Sequence, residues 1–208
     1  VEDNQFSGNA AVSAYRSLRE SHHVKSLISF GGPAVLAVRP IVESEKFPML
    51  ALSAAVQLDK GGNGSITRLW ESSKGLGTLF AELSNQLEKK RPAVISYEAE
   101  VGLEIRNAAK AKLQSATVVD EVVNPSETEF SGLLTKLRAT QPDLIFLNFV
   151  GGQATAVFQK LRSLGVNAPV VFHSGLFFDP KVRSPYPLDY NGSYVATVSD
   201  EGAQQLYD

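Results

Sequence analysis

An α/β fold, with parallel sheets covered by helices, is what this sequence predicts, and three observations carry the prediction. Short β-rich apolar runs alternate with amphipathic helical stretches almost from end to end. Leu144 to Phe149 is nearly all apolar, as a parallel strand buried on both faces requires. The 208 residues are 43% hydrophobic and 20% charged, which supplies a real core and excludes a disordered chain, a collagen-like repeat and a membrane bundle.

Each element has its own reason. Ala11, Tyr15 and Leu18 share one helical face, and Ser26 to Phe30 then reads as a strand stopped by Gly31-Gly32-Pro33. Pro33 is placed to open a helix, because a proline at the first helical position loses no hydrogen bond; Val38, Ile41 and Val42 continue its apolar face. Met49 to Leu52 is a second strand, ended by the small residues Ser53, Ala54 and Ala55. Residues 60–65 form a polar loop, and a short run from Ile66 to Trp70 follows.

Leu76, Leu79, Phe80, Leu83 and Leu87 have helical spacing, closing on Glu88-Lys89-Lys90-Arg91. Ala93 to Tyr97 is the next strand; a helix with Val101, Ile105, Ala108 and Ala109 and a strand from Thr117 to Val123 come after it. Ser126 and Glu129 have the spacing of a capping box ahead of a helix that buries Phe130, Leu133, Leu134 and Leu137. Beyond Leu144 to Phe149, Gly151-Gly152 breaks the chain, and a helix with Ala154, Val157, Leu161 and Leu164 ends at Gly165, ahead of the strand Val170 to Phe172. The last strand candidate is Ser193 to Val198.

Charge and composition narrow the function. Twenty Lys and Arg against 22 Asp and Glu leave a formal charge of −2, so nucleic acid is not an expected partner. The absence of cysteine removes disulfides, thiolate nucleophiles and cysteine-ligated metals together. No stretch reaches the length of a membrane span, and the N-terminus has neither a basic n-region nor an apolar h-region.

The motifs expected of α/β enzymes are missing. Gly31-Gly32-Pro33 and Gly151-Gly152-Gln153 follow strands, yet neither has the spacing of a dinucleotide loop or the ending of a phosphate loop. Two readings stand for them: tight turns, or helix N-terminal amides facing a ligand. His22 and His23 are adjacent and read as a surface turn, whereas His173 falls at the carboxyl end of a strand, where ligands bind in open α/β sheets. A ligand contact and a satisfied loop histidine both remain open for it. Glu98 and Glu100 suit either acid–base chemistry or a solvated turn, and Trp70 either packing or a ligand contact. Asn63-Gly64-Ser65 and Asn191-Gly192-Ser193 match the glycosylation acceptor pattern, which is short enough to occur by chance.

The order of these pieces resembles the type I periplasmic solute-binding proteins, in particular the branched-chain-amino-acid-binding group that feeds ABC transporters. "VEDNQ" is similar to the family's segment at the end of its second strand, and "VKSLISFGGPAVLAVRPIVESEKFPMLALSAA" to its strand, turn, helix, strand and turn. "SITRLWESS" resembles the crossing into the second lobe, and "FSGLLTKLRATQPDLIFLNFVGGQATAVFQKLRSLGVNAPVVF" the helix–strand–helix–strand order within it. The resemblance implies two Rossmann-like lobes: a partial lobe one over residues 1–71 with 198–208, and a lobe two over residues 72–197. It also implies that lobe one is incomplete and the chain a trimmed piece.

The resemblance further implies a binding protein without catalysis or cofactor, located in the periplasm or outside the cell. Its partners would be a small-molecule ligand and an ABC transporter permease, and an exposed lobe-one sheet edge invites a dimer. The family's positions for the ligand carboxylate correspond to Gly32, Pro33, Ala34, Ser53, Ala54 and Ala55. The acid that takes an amino acid's ammonium corresponds to Ser174, and the aromatic positions to Val101 and Val150. Those are departures, and leaving a buried ammonium unpaired costs several kcal/mol against the roughly 8 kcal/mol of micromolar binding. The expectation is therefore a carboxylate with an apolar or aromatic body against Tyr97, Val101, Phe149 and Val150, and one polar contact from His173. Glu98 or Glu100 standing in for the missing acid would weaken it. Two alternatives of other classes are a ligand-sensing domain of a regulatory protein and an α/β enzyme using His173 with Ser174 or Glu98.

Overall fold

The computed structural model describes residues 1–5, 7–149, 152–173 and 193–196. The chain divides into two compact units, Val1–Ser73 and Lys74–Asp208.

The first unit is a three-stranded parallel sheet with helices on one face. Helix α1 (Gly8–Glu20) is capped by Ser7, whose Oγ accepts from Ala10 N–H at 3.5 Å. It leads into β1 (Leu27–Phe30), α2 (Gly32–Ser44), β2 (Met49–Leu52), a 3₁₀ turn at Val56–Asp59 and β3 (Ile66–Arg68). The strands lie in the order β1-β2-β3, with Leu27 opposite Met49 and Met49 opposite Ile66. Alternation along the strands sends Met49 and Ala51 into a core with Ala11, Tyr15, Val35, Val38, Val42 and Phe47. The same alternation leaves Ile28, Phe30 and Leu50 exposed on the opposite face, where the Phe30 ring meets Trp70 edge-on at 6.3 Å. A parallel sheet is ordinarily covered on both faces, and among the described residues this one is covered by helices on one.

The second unit has three layers. Its elements are α3 (Ser73–Gln86), which opens on the last residue of the first unit, β4 (Pro92–Tyr97), α4 (Glu100–Lys112), β5 (Val119–Val123) and α5 (Ser131–Thr140). They are followed by β6 (Leu144–Asn148), α6 (Gly152–Ser163), β7 (Val170–His173) and β8 (Tyr194–Ala196). All strand pairs are parallel, in the order β5-β4-β6-β7-β8. Ile95, Ile145, Leu147 and Phe172 face Leu134 and Leu137 of α5 and Val157, Phe158 and Leu161 of α6. Val94, Leu144 and Phe146 face Leu76 and Phe80 of α3 and Ile105 and Ala109 of α4, with the Phe80 and Phe146 rings stacked at 4.4 Å. Every residue of β4 and β6 is buried, as the apolar run in the sequence requires.

Two local readings of the sequence are corrected. Ser126 and Glu129 form no capping box: Ser126 N–H and Oγ both bond to Asn124 Oδ1 at 2.9 and 2.7 Å, and Glu129 N–H bonds to Glu127 Oε1. These local side-chain bonds hold a turn, and α5 starts later, after Phe130. Leu79 on α3 and Leu87 just past its end are exposed although their spacing places them on the apolar row. Beside Leu76 and Phe80, the buried arc takes in Gly77, Ala81 and Ser84, small residues that a count of large apolar side chains passes over. At Gly77 a Cβ would lie 2.2 Å from the Ile105 carbonyl of α4, so only glycine permits this helix contact.

Candidate functional site

In the second unit the chain leaves β4 to form β5 on one side, then crosses back to form β6 on the other. That reversal makes the carboxyl ends of β4 and β6 a topological switch point, the place where open α/β sheets take ligands. Tyr97, Glu98 and the start of α4 follow β4; Asn148 and Phe149 end β6.

Tyr97 is mostly enclosed. Burial, and secondly the charge of Glu104, push its hydroxyl up to about 12, so it is a neutral phenol at physiological pH. Its backbone is overlain by Gly102 of α4, where a Cβ would meet the Tyr97 carbonyl at 2.3 Å and the ring at 3.0 Å. Val101 beside it is half-buried and touches the apolar clusters on both sides of the sheet. Asn148 is completely buried; its Nδ2 donates to Ser96 Oγ and to the Gly102 carbonyl, each at 3.1 Å. One polar side chain therefore fastens β4, β6 and the first turn of α4 together, while its own Oδ1 has no hydrogen-bond partner among the described residues.

The other residues read as site candidates fall into distinct groups. Phe149 is fully buried, its ring 6.2 Å from Phe130 in the core, so its side chain supports the strand end from behind. Glu98 and Glu100 are exposed; Glu98 N–H extends the β4–β5 ladder to Val123, and Glu100 opens α4, where a carboxylate complements the helix dipole. His173 is the last residue of β7, opposite Ala196 of β8. Val150 and Ser174 lie outside the described residues, as does the 198–208 segment assigned to lobe one. His22 and His23 are exposed, and His23 has φ +52°, as a turn residue does. Among the described residues no cluster of three or more His, Asp or Glu is placed to hold a metal.

In the first unit, the turn after β1 is built on Gly31, whose φ of +95° favours glycine and whose N–H donates to the Leu52 carbonyl at 3.1 Å. Gly31 is also the N-cap of α2 and offers no side-chain bond to the helix amides, while Pro33 has no N–H to satisfy. Gly32 and Pro33 are accessible; Ala34 is wholly buried in the core. After β2, Ser53 is buried with its Oγ accepting from Ala55 N–H at 3.2 Å, and the Ala54 carbonyl accepts from Ser73 N–H at 2.8 Å. Ala54 is half-buried and Ala55 buried. A cavity of about 250 Å³ in this unit, lined by Tyr15, Leu18, Val24, Leu27 and Ser29 among others, includes none of these candidates.

Sequence reasoning passed over Asn148, Ser96 and Gly102. Asn148 did leave a signal: it is the lone strongly polar residue in the run Leu144 to Phe149. A polar side chain in a strand buried on both faces must find partners within the protein.

Both units are parallel α/β sheets packed on helices, and in the first the strand ends carry small-residue turns. The family model for periplasmic binding protein matches residues 1–203, and the chain belongs to that family. Among solved structures it is similar to the branched-chain amino acid transporter substrate binding protein LivJ of Streptococcus pneumoniae in complex with isoleucine. The TM-score is 0.80 at 17% identity, over 96% of this chain and 59% of that one. It is also similar to an ABC transporter solute binding protein of R. palustris in complex with benzoate, with TM-score 0.72 at 16% identity, over 83% of this chain and 50% of that one. A curated Leu/Ile/Val-binding protein of Rhizobium johnstonii is 24% identical over 90 residues, 42% of this chain and 24% of that protein. The chain thus spans about a quarter of the curated relative and 50–59% of these two solved chains. The two-lobed α/β class read from the sequence is the fold of these neighbours. Among the described residues no helix is long and apolar enough to cross a membrane.

Proposed function

We propose that this chain belongs to the solute receptor of an ABC importer, working outside the cytoplasmic membrane, and binds a small organic carboxylate with an apolar or aromatic body without transforming it. Family membership supports the receptor role. The observation that carries the ligand class is the switch point of the second unit, where neutral Tyr97 and half-buried Val101 stand over a strand end fixed by Asn148. That wall is apolar with one phenolic hydroxyl and suits a ring or branched chain. In the first unit, taken by itself, the uncapped start of α2 at Gly32 and the Ser53–Ala54 turn suit an anionic group, since helix N-terminal amides favour negative charge. The site residues of this reading are Gly32, Pro33, Ser53, Ala54, Tyr97, Val101 and His173, with Ala34, Ala55, Phe149, Val150 and Ser174 as their neighbours in sequence.

A relative bound to isoleucine and another bound to benzoate represent the two ligand chemistries in contention. Ser174 in place of the family's acid favours the ligand that lacks an ammonium. Isothermal calorimetry and thermal-shift titration against benzoate, 4-hydroxybenzoate, leucine and isoleucine test this. Saturable binding of the aromatic acids is expected, and preference for the zwitterionic amino acids would overturn the ligand class.

The permease is the proposed partner, and self-association through the first unit's open β1 edge is the second. Leu27 and Gly31 donate inward to β2, so alternation turns the Ile28 and Phe30 amides outward along that edge.

A further inference from the structure

We infer that Asn63-Gly64 is a site of spontaneous chemical modification, at which the side-chain amide is converted to a carboxylate and the loop tip it anchors is loosened from the end of α2. The inference stands apart from the solute-binding reading and rests on the first unit alone.

Asn63 and Gly64 lie at the exposed tip of the loop between the 3₁₀ turn and β3. Gly64 has φ +85°, and nothing approaches within 4 Å of where a Cβ would stand, so its backbone nitrogen has no side chain and no packed neighbour to hinder it. Asn63 Oδ1 accepts from Ser65 N–H at 3.1 Å, which draws electron density from the Cγ carbon. The Gly64 nitrogen attacks that carbon as its proton passes to solvent base. The new N–C bond closes a five-membered imide, and Nδ2 leaves as ammonia after taking up a proton. Water then opens the imide at either carbonyl, leaving aspartate or isoaspartate; no redox partner is involved.

The structure also specifies the consequence. Asn63 Nδ2 donates to the Glu43 carbonyl in the last turn of α2. The C-cap Glu45 N–H and, at 3.3 Å, the Lys46 N–H also point at this carbonyl. Conversion replaces the donor with an acceptor carrying a full negative charge, at the negative end of the helix. The Glu43 carboxylate, paired with Arg39 Nε at 2.9 Å, lies there too: a Cβ on Gly62 would sit 2.5 Å from its Oε1. The loop tip loses its Asn63 anchor, while Arg39 still holds the Gln57 and Lys60 carbonyls.

The test is ageing of the full chain in mildly alkaline buffer at physiological temperature, followed by peptide mapping. The peptide spanning Asn63 is expected to gain the mass of an amide-to-acid conversion, with an isoaspartate form, several-fold faster than the peptide holding Asn107, which precedes alanine. Asn63→Gln, whose longer side chain does not close this ring, should abolish the change while keeping an amide donor. Hydrogen exchange of the converted form should rise over residues 41–46 and 60–65. Conversion no faster than at Asn107, conversion only after unfolding in urea, or unchanged exchange in the converted form would each overturn the proposal. The same dipeptide at Asn191-Gly192 lies outside the described residues, and the map reads it separately.

Discussion

Asn148 donates to Ser96 across the β4–β6 pair at 3.1 Å, and the same amide reaches the Gly102 carbonyl at the start of α4 at an equal distance. Both partners are out of water; the Gly102 carbonyl also belongs to the α4 ladder, so the group that depends on this side chain is the buried Ser96 hydroxyl. Asn148→Leu, of similar size, removes the partner of that hydroxyl and is expected to cost about 1–3 kcal/mol in urea unfolding. Asn148→Asp should cost more, because it turns a donor into an acceptor facing another acceptor. Because α4 would then be free to move over Tyr97, ligand affinity should fall in both variants. Unfolding curves that coincide with the parent would show that the fastening is immaterial.

Two glycines on helices of the second unit should respond in opposite directions to alanine. At Gly102 the added methyl meets the Tyr97 carbonyl, a backbone atom that cannot swing aside, and a loss of about 1–3 kcal/mol is expected. At exposed Gly132 of α5 nothing lies within 4 Å, so relief of backbone entropy should stabilise by about 0.5–1 kcal/mol. Denaturation midpoints of the two variants, compared side by side, check the sign. Two shifts in the same direction would remove the close approach of α4 to β4 from the account.

Asp120 on β5 makes stability depend on acid. Burial alone would raise its pKa, but bonds from Arg106 Nε and Nη2 at 2.6 and 2.7 Å and from Lys110 outweigh burial and hold it below the usual carboxylate range. A carboxylate whose pKa is lower in the folded chain binds fewer protons there than when unfolded. Its stabilisation is therefore complete above the unfolded value of about 4 and is lost as pH falls through the folded value. Asp120→Asn should lower the melting temperature at neutral pH and narrow the gap between neutral and acidic melts. An undiminished gap in the variant would assign the acid sensitivity to other carboxylates.

Much of this architecture is readable from period and punctuation, and the reasons are local. Leu144 to Phe149 announces a doubly buried strand by being apolar at every position but Asn148, and Gly165, found at φ +75°, marks the end of α6 as a glycine C-cap should. Tertiary proximity is what spacing cannot express. Gly77 looks like an ordinary helix-weakening residue until α4 is seen to pass over it, and Ser126 resembles a helix cap until Asn124 claims its amide. The candidate site is legible in part for the same reason. Strand ends are visible in sequence, so Tyr97 and Ser53 were placed near turns, whereas the switch point depends on β6 lying beside β4 and not beside β5. Burial separated the candidates further: Ala34 and Phe149 are core residues, a fact that their positions next to turns conceal.

The uncovered face of the first unit carries the last prediction. Ile28 is 66% exposed and Phe30 49%, and together with Leu50, Leu69 and Trp70 they leave the side of the sheet opposite the α1–α2 core apolar and open. Apolar patches on monomers seldom exceed a few hundred Å², and large ones mark interaction surfaces. Here the patch borders the outward amides of β1, so apolar contact and strand pairing act at one edge. The Asn4 side chain already covers the Phe30 carbonyl by donating to it at 3.0 Å, which leaves Ile28 as the open part of the ladder. Sedimentation velocity of the chain is expected to show concentration-dependent self-association that Ile28→Lys suppresses, since a charge placed on an edge strand opposes pairing. The substituted side chain points to solvent, so the melting temperature of the monomer should not move, which separates lost pairing from lost folding. A parent chain that sediments as a monomer at every concentration would remove the dimer from the proposed partners and leave the sheet face without a role in self-association.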